Sequence, residues 1–171
     1  MTNPKTVKRL LPCVCLILFA SALADAKPWR RIVPLHSTRA DVKRRLGKPD
    51  PKTNQHELKT ERAYIFYSDG TPCAFAQGGA WNVPRDTVVS IRVTPKTKLW
   101  LSALKLDPQK YKKVKDPEIQ TRTRYQNEEE GITYEVFEGG GKNDGLILNI
   151  EYGPSARDKH LLCPATVERP N

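Results

Sequence analysis

The three histidines of this chain are its first candidates for metal binding or acid–base catalysis. They are His36, His56 and His160, and none has a second histidine three or four residues away, the spacing that brings two imidazoles to one metal ion. His36 lies just before a predicted helix and His160 lies close to a cysteine, so capping or surface roles are the simpler interpretation. The sequence predicts no metal site and no cofactor.

Nucleophilic catalysis requires a nucleophile and a base that meet across the fold, so neighbours in sequence are weak support for it. Ser37 follows His36 directly and lies near Asp41 in the sequence, but this closeness in sequence does not indicate that the side chains meet in the fold. The chain has no Gly-x-Ser-x-Gly elbow, and the glycines at 139–141 lack the lysine and hydroxyl residue of a phosphate loop. We predict no catalytic residues and no enzyme activity. A hydrolase is the alternative if His36 or His160 lies in a cleft beside a serine or an aspartate.

The first 24 residues are typical of an export signal. Basic residues precede an apolar stretch at 10–20, and residues 21–24 supply the small side chains that signal peptidase needs. We expect cleavage after Ala24, with Ala26 as a second site. The apolar stretch is about half the roughly 20 residues of a spanning helix, so no transmembrane segment is expected after cleavage. The expected location is the periplasm or the extracellular medium.

Cysteine usage agrees with export. Cys13 and Cys15 lie inside the predicted signal, whereas Cys73 and Cys163 remain in the mature chain. An even pair in an oxidising compartment predicts a disulfide, with two free thiols as the alternative. A disulfide between them would close a loop of 90 residues and stabilise the fold by about 4 to 5 kcal/mol on the chain-entropy account.

The charge of the chain is basic. It carries a net charge of +10 over 171 residues, and losing the signal with its three basic residues leaves +7 over 147. Such a charge favours association with an acidic protein, an acidic glycan or an anionic lipid surface. A solvated basic surface is the alternative, and nucleic acid is not an expected partner after export.

A short helix is predicted near the mature N-terminus. Thr38 and Asp41 have the spacing of a capping box. Val42 and Leu46 form one apolar stripe, and Gly47 supplies a helix end. A helix of about nine residues is not stable alone, so we expect it to pack on a sheet.

Alternating apolar residues further along the chain predict antiparallel strands and hairpins. Residues 89–95 and 148–154 align without gaps at an offset of 59 residues, and a second helix is predicted between Asp107 and Asp116. The predicted fold class is therefore α+β, with two helix-plus-antiparallel-sheet units in tandem. The expected divisions are the signal at 1–24, a first unit at 25–98 and a second at 99–171, sharing one compact body. The core is expected to contain Val89, Ile91, Val93, Leu148, Ile150 and Tyr152.

Two segments resemble the first helix of the SmpA/OmlA (BamE-like) envelope domains: Leu-His-Ser-Thr-Arg-Ala-Asp-Val at 35–42 and Leu-Gly-Lys-Pro at 46–49. The tandem layout is also similar to the β-lactamase inhibitor protein fold. Residues 81–91 and 152–164 resemble a group of exported bacterial proteins with no assigned activity. These resemblances imply a scaffold that binds other proteins of the cell envelope and performs no chemistry.

Two surfaces are candidates for such binding. The first is a loop with Trp81, Asn82 and Arg85, because exposed Trp and Arg often anchor interfaces; a tryptophan folded over the sheet edge is the alternative. The second is the basic set of the two predicted helices. Its members are Arg39, Lys43, Arg44 and Arg45 in the first, and Lys110, Lys112, Lys113 and Lys115 in the second.

The two basic helices would form one anion-attracting face if they packed on the same side of a continuous sheet, and would otherwise be solvated flanks. We therefore predict an exported, non-enzymatic protein-interaction module of the cell envelope, whose partner is an envelope protein. The alternative is a protein that binds polyanions or an anionic membrane surface.

Overall fold

The computed structural model describes residues 26–73 and 79–164. The predicted export signal lies outside these residues. They contain one α-helix, seven strands and three short 3-10 helices. The helix is α1 (Arg39–Leu46), and the strands are β1 (His56–Glu57), β2 (Glu61–Tyr67), β3 (Val88–Pro95), β4 (Lys112–Lys115), β5 (Arg122–Asn127), β6 (Ile132–Phe137) and β7 (Leu146–Tyr152). The 3-10 helices span Leu101–Leu104, Gly141–Asn143 and Ala156–Leu161.

All seven strands form a single sheet in the order β1-β2-β3-β7-β6-β5-β4. Every neighbouring pair is antiparallel, and the short strands β1 and β4 form the two edges. The β3–β7 ladder, centred on Arg92 opposite Glu151, joins the two halves of the chain in one sheet.

The predicted fold class, α+β with two helix-plus-antiparallel-sheet units in tandem, is wrong. The described residues form one seven-stranded antiparallel sheet with a single α-helix, and the second predicted helix does not form. Asp107 instead closes a turn, in which its carbonyl accepts from the backbone N–H of Lys110 at 3.0 Å. The chain then enters β4, where Lys112–Lys115 pairs with β5. The segment is too short and has too few apolar residues to offset the free-energy cost of helix nucleation. As an edge strand, it instead gains ladder hydrogen bonds from an existing sheet.

The first predicted helix is confirmed as α1. The capping box is complete: the Thr38 hydroxyl accepts from the Asp41 N–H, and the Thr38 N–H donates to the Asp41 carboxylate at 2.9 Å. Gly47 ends the helix with a φ of 80°, a conformation that costs glycine little. Val42 is 1% exposed and packs on the sheet, as the apolar stripe predicts.

A β-bulge sets which residues of β3 face the helix side of the sheet. Phe66 pairs with Ser90 and Tyr67 pairs with Val88, so Val89 is left without a partner. An extra residue shifts the alternation by one, and Val88 becomes fully buried at 0% exposure. The expectation that Val89 lies in the core is therefore wrong.

A similar β-bulge occurs in β7. Glu135 pairs with Asn149 and Val136 with Ile147, so Leu148 is the unpaired residue. Ile147 turns into the core at 3% exposure, while Leu148 is half-buried. Leu148 is thus also wrongly predicted as a core residue.

The remaining predicted core residues do pack on one face of the sheet, here named the covered face. Ile91 and Val93 are buried in the first core cluster, which forms under α1 with Trp29 and Ile32 of the N-terminal segment. The second core cluster centres on Ile132, Tyr134, Val136 and Ile147. Ile150 and Tyr152 are half-buried and pack against both clusters.

The predicted disulfide between Cys73 and Cys163 is present, with a Cα–Cα distance of 5.2 Å. Beside it, the Cys163 N–H donates to the Ala80 carbonyl and the Asn82 N–H to the Leu161 carbonyl, both at 2.8 Å. The loop after β2 is thereby tied to the C-terminal segment. A disulfide is consistent with an exported protein in an oxidising compartment. Within the described ranges, the structure has no helix that is both long and apolar enough to cross a membrane.

Candidate functional site

The side of the sheet opposite the covered face carries polar side chains and is named the open face. It holds a groove of about 600 Å³ lined by strand residues alone. Since side chains alternate along a strand, burying one set of residues sends the other set here. The lining residues are Arg92 of β3, Arg122, Arg124 and Gln126 of β5, Thr133 and Glu135 of β6, and Asn149 and Glu151 of β7.

A polar network of hydrogen bonds and one ion pair crosses four strands at the centre of the open face. The Thr94 hydroxyl donates to the Asn149 side-chain carbonyl at 2.7 Å, and the Asn149 amide donates to Glu135 at 2.7 Å. Arg122 Nε lies 2.8 Å from the other oxygen of Glu135, a side chain that is only 16% exposed. This contact is an ion pair and not a hydrogen bond, since Arg122 Nε has no hydrogen-bond partner among the described residues. The network fixes these side chains in advance of any binding, which lowers the entropy cost of recognition.

The other charges of the open face are also paired. Arg92 lies 3.7 Å from Glu151, and Arg124 lies 3.1 Å from Asp116. Backbone hydrogen bonds from Ile119 and Glu118, with the nearby Arg124, lower the pKa of Asp116, so it stays charged. The open face therefore carries positive and negative side chains next to one another.

Two aromatic rings extend the open face onto β2. Tyr64 and Phe66 meet edge to face, with centroids 4.7 Å apart. Tyr64 pairs with Arg92 across the β2–β3 ladder, and the Arg92 guanidinium lies 5.6 Å from the centre of the Phe66 ring. Phe66 is 37% exposed. An exposed ring beside a half-exposed arginine has the composition of an interface anchor.

The predicted loop surface is held by the C-terminal segment. Half-buried Trp81 forms a β-bridge with Leu162, while Asn82 is exposed. The Arg85 side chain donates to the Asp69 carbonyl at 2.8 Å. Trp81 therefore packs at the end of the disulfide-linked loop, and none of the three predicted loop residues lines the groove of the open face.

The predicted basic surface of α1 is partly neutralised. Arg39 pairs with Asp86 at 2.7 Å and lies 3.8 Å from the centre of the Tyr67 ring. Arg44 pairs with Asp41 within the helix. The side chains of Lys43 and Arg45 are exposed and form no ion pair with another described residue.

The anion-attracting face of two basic helices does not form, because the lysines of its second half lie on and beside the edge strand β4. α1 packs on the first core cluster, toward the opposite edge strand β1. The two edge strands are six strand spacings apart, or about 29 Å at roughly 4.8 Å each. Lys113 is also engaged, since it pairs with Glu138 at 2.8 Å.

His36 meets an acid that sequence analysis did not find. Its Nε2 lies 3.1 Å from Asp158, a residue 122 positions later in the chain. The Ser155 hydroxyl donates to the same carboxylate at 2.8 Å and not to the imidazole. Ser155 and Asp158 form the capping box of the 3-10 helix Ala156–Leu161. Among the described residues this grouping ties the two ends of the fold together, and its serine has no imidazole base.

The other two histidines are separate from this grouping. His56 is 5% exposed, and burial lowers its pKa. Its Nδ1 has no hydrogen-bond partner among the described residues. His160 Nδ1 lies 2.7 Å from the Arg157 carbonyl, within its own 3-10 helix.

Comparison of the chain with protein-family models, with curated proteins and with solved structures finds no match. Sequence analysis missed this face, although one signal was present: Thr133, Glu135, Asn149 and Glu151 alternate with apolar residues.

Proposed function

We propose that this is an exported, non-enzymatic protein that binds a folded protein of the cell envelope through the open face of its sheet. The observation that carries the proposal is the network of Arg122, Glu135 and Asn149. It holds polar groups in fixed positions on a surface that only strand residues line.

The charge pattern favours a protein partner over a polyanion. Arg92, Arg122 and Arg124 each lie beside a carboxylate, so the open face has no field of one sign. Protein interfaces match charges of both signs at fixed positions, whereas a polyanion is attracted by an excess of positive charge. The partner is expected to offer a carboxylate to Arg92 and an apolar side chain to Phe66.

The size of the sheet is adequate for a specific interface. Seven strands at about 4.8 Å spacing and roughly 20 Å in length present on the order of 600 Å² in projection. Side-chain relief increases the contact area toward the roughly 800 Å² per partner of a standard interface. The resemblance of residues 35–49 to envelope scaffold domains supports the same interpretation.

The alternative function is binding to an acidic glycan or an anionic membrane surface. The observation that favours it is the presence on α1 of Lys43 and Arg45, two exposed cations with no ion-pair partner among the described residues, together with the net positive charge of the chain. Such binding would weaken steeply with added salt.

Crosslinking capture of partners from envelope extract tests the proposal. The mature chain serves as bait at low and at high salt, beside an F66A/R92A double variant and a K43Q/R45Q double variant. The proposal predicts one protein captured at both salt concentrations, lost with F66A/R92A and retained with K43Q/R45Q. Capture that depends on Lys43 and Arg45, and that salt abolishes, would contradict it and support the alternative.

A further inference from the structure

A second concave surface lies on the covered face, at the end of the sheet farther from α1. It is a groove of about 690 Å³ between the 3-10 helix Leu101–Leu104 and the edge strand β4, and we name it the aromatic groove. The side chains that matter here are Trp100, Lys105, Leu106, Tyr111, Lys113 and Tyr125. Its volume lies in the range of about 300 to 1,000 Å³ that is usual for small-molecule sites.

The groove exists because the two core clusters are covered differently. α1 lays Val42 and Leu46 on the first cluster. The second cluster is covered by the segment 99–106, whose leucines are only half-buried. Apolar and aromatic side chains thus remain accessible beside the second cluster.

One carboxylate organises the polar side of the groove. Glu138 accepts from the Tyr125 hydroxyl at 2.6 Å, from the Thr123 hydroxyl at 3.0 Å and from Lys113 at 2.8 Å. Burial alone would raise the pKa of Glu138, but these donors outweigh burial and lower it. Glu138 is therefore a charged and satisfied acceptor that fixes the Lys113 ammonium at the groove.

Two ammonium groups line the groove, and one of them, Lys113, is already paired with Glu138. Lys113 has three N–H donors, of which Glu138 engages one. Lys105 is exposed, lines the groove and has no side-chain partner among the described residues. The other acid of the lining, Asp144, already accepts from the Gly140 N–H at 3.0 Å.

We propose that the aromatic groove binds a small amphiphilic anion. Its alkyl or aromatic body would lie on Trp100, Leu106 and Tyr111, and its carboxylate or phosphate head would be held by Lys105, with the remaining N–H donors of Lys113 beside it. This site is independent of protein binding, because the open face lies on the other side of the sheet.

Isothermal titration calorimetry with monomeric dodecanoate, below its critical micelle concentration, tests the site. Dodecyltrimethylammonium carries the same chain with the opposite charge, and dodecyl phosphate carries the other anionic head group. We expect both anions to bind at least tenfold more tightly than the cation. The K105Q variant should weaken dodecanoate binding by about fivefold or more, since it removes a charge-assisted hydrogen bond. K52Q, an exposed lysine outside the groove, is the matched control and should leave the affinity unchanged.

A second arm replaces the monomer with anionic phospholipid vesicles in a sedimentation assay. Binding to vesicles without binding to monomeric dodecanoate would overturn the groove proposal in favour of a membrane surface. Equal affinity for the anionic and cationic amphiphiles, or equal effects of K105Q and K52Q, would overturn it as well. Circular dichroism of each variant establishes that the exposed substitution leaves the fold intact.

Discussion

The two faces of the sheet are built from neighbouring residues of the same strands, yet they differ in burial and in charge. On β3, Ile91 is 0% exposed in the first core cluster, while the next residue, Arg92, is half-exposed beside Phe66. The covered face gains its free energy from apolar burial, which is non-directional. The open face gains little stability from its exposed ion pairs and instead fixes their positions. On the proposed function, the covered face therefore supplies most of the stability, and the open face supplies the contact with a protein partner.

The largest expected effect comes from a pair of substitutions at adjacent positions of β3. I91A should lower the free energy of unfolding by about 2 to 5 kcal/mol, because it leaves a cavity in a fully buried site. R92A should lower it by less than about 1 kcal/mol, because its ion pair is exposed. Urea denaturation of both variants measures the difference. Similar losses for the two would contradict the division of roles between the faces.

Removing the disulfide should produce the next largest effect. The C73S/C163S variant loses the cross-link that closes a loop of 90 residues, and should be less stable by about 2 to 4 kcal/mol. Thermal denaturation with and without a reducing agent measures it. The reductant should destabilise the wild type and leave the variant unchanged; a wild type insensitive to reduction under unfolding conditions would argue against the bond.

The buried acid Asp158 predicts a loss of stability at low pH. Burial would raise its pKa, but hydrogen bonds from Ser155 and from His36 outweigh burial and lower it. A lowered pKa adds stability above the unfolded value of about 3.9 and loses it as pH falls through the folded value. D158N should destabilise the fold near neutral pH by about 1 kcal/mol, because it removes the charged acceptor of these hydrogen bonds. The difference from wild type should shrink as pH falls and Asp158 becomes protonated. A constant difference across the pH range would contradict this account.

An effect on stability as small as that of R92A is expected within the open-face network. E135Q keeps an acceptor for Asn149 but removes the charge opposite Arg122, so the free energy of unfolding should change by about 1 kcal/mol or less. Partner affinity should fall more than stability, since the Arg122 guanidinium loses its ion-pair partner on the open face. Titration of the captured partner against E135Q, with T71A outside the groove as control, measures the difference. A stability loss with unchanged affinity would assign the network to folding alone.

Local patterns in the sequence predicted the local features of the fold. The capping box of Thr38 and Asp41, the glycine that ends α1 and the pairing of Cys73 with Cys163 all depend on residue types with a direct structural consequence. The alternation of apolar residues likewise predicted most strands and their antiparallel character.

Features that depend on distant pairing were not predicted. β4 looked helical because its segment follows a capping residue, and only its contact with β5 makes it a strand. The bulges at Val89 and Leu148 arise from the register with β2 and β6. The open face was missed for the same reason, because strand order alone brings Arg122, Glu135 and Asn149 together.

The central claim is that the open face contacts a protein partner, and site-specific photocrosslinking tests it most directly. A photoreactive phenylalanine analogue placed at position 66 probes the open face with little change in shape, and the same analogue at position 43 probes α1. Crosslinking in intact cells should join one protein to position 66 and none to position 43. Crosslinks from position 43 with none from position 66 would contradict the account.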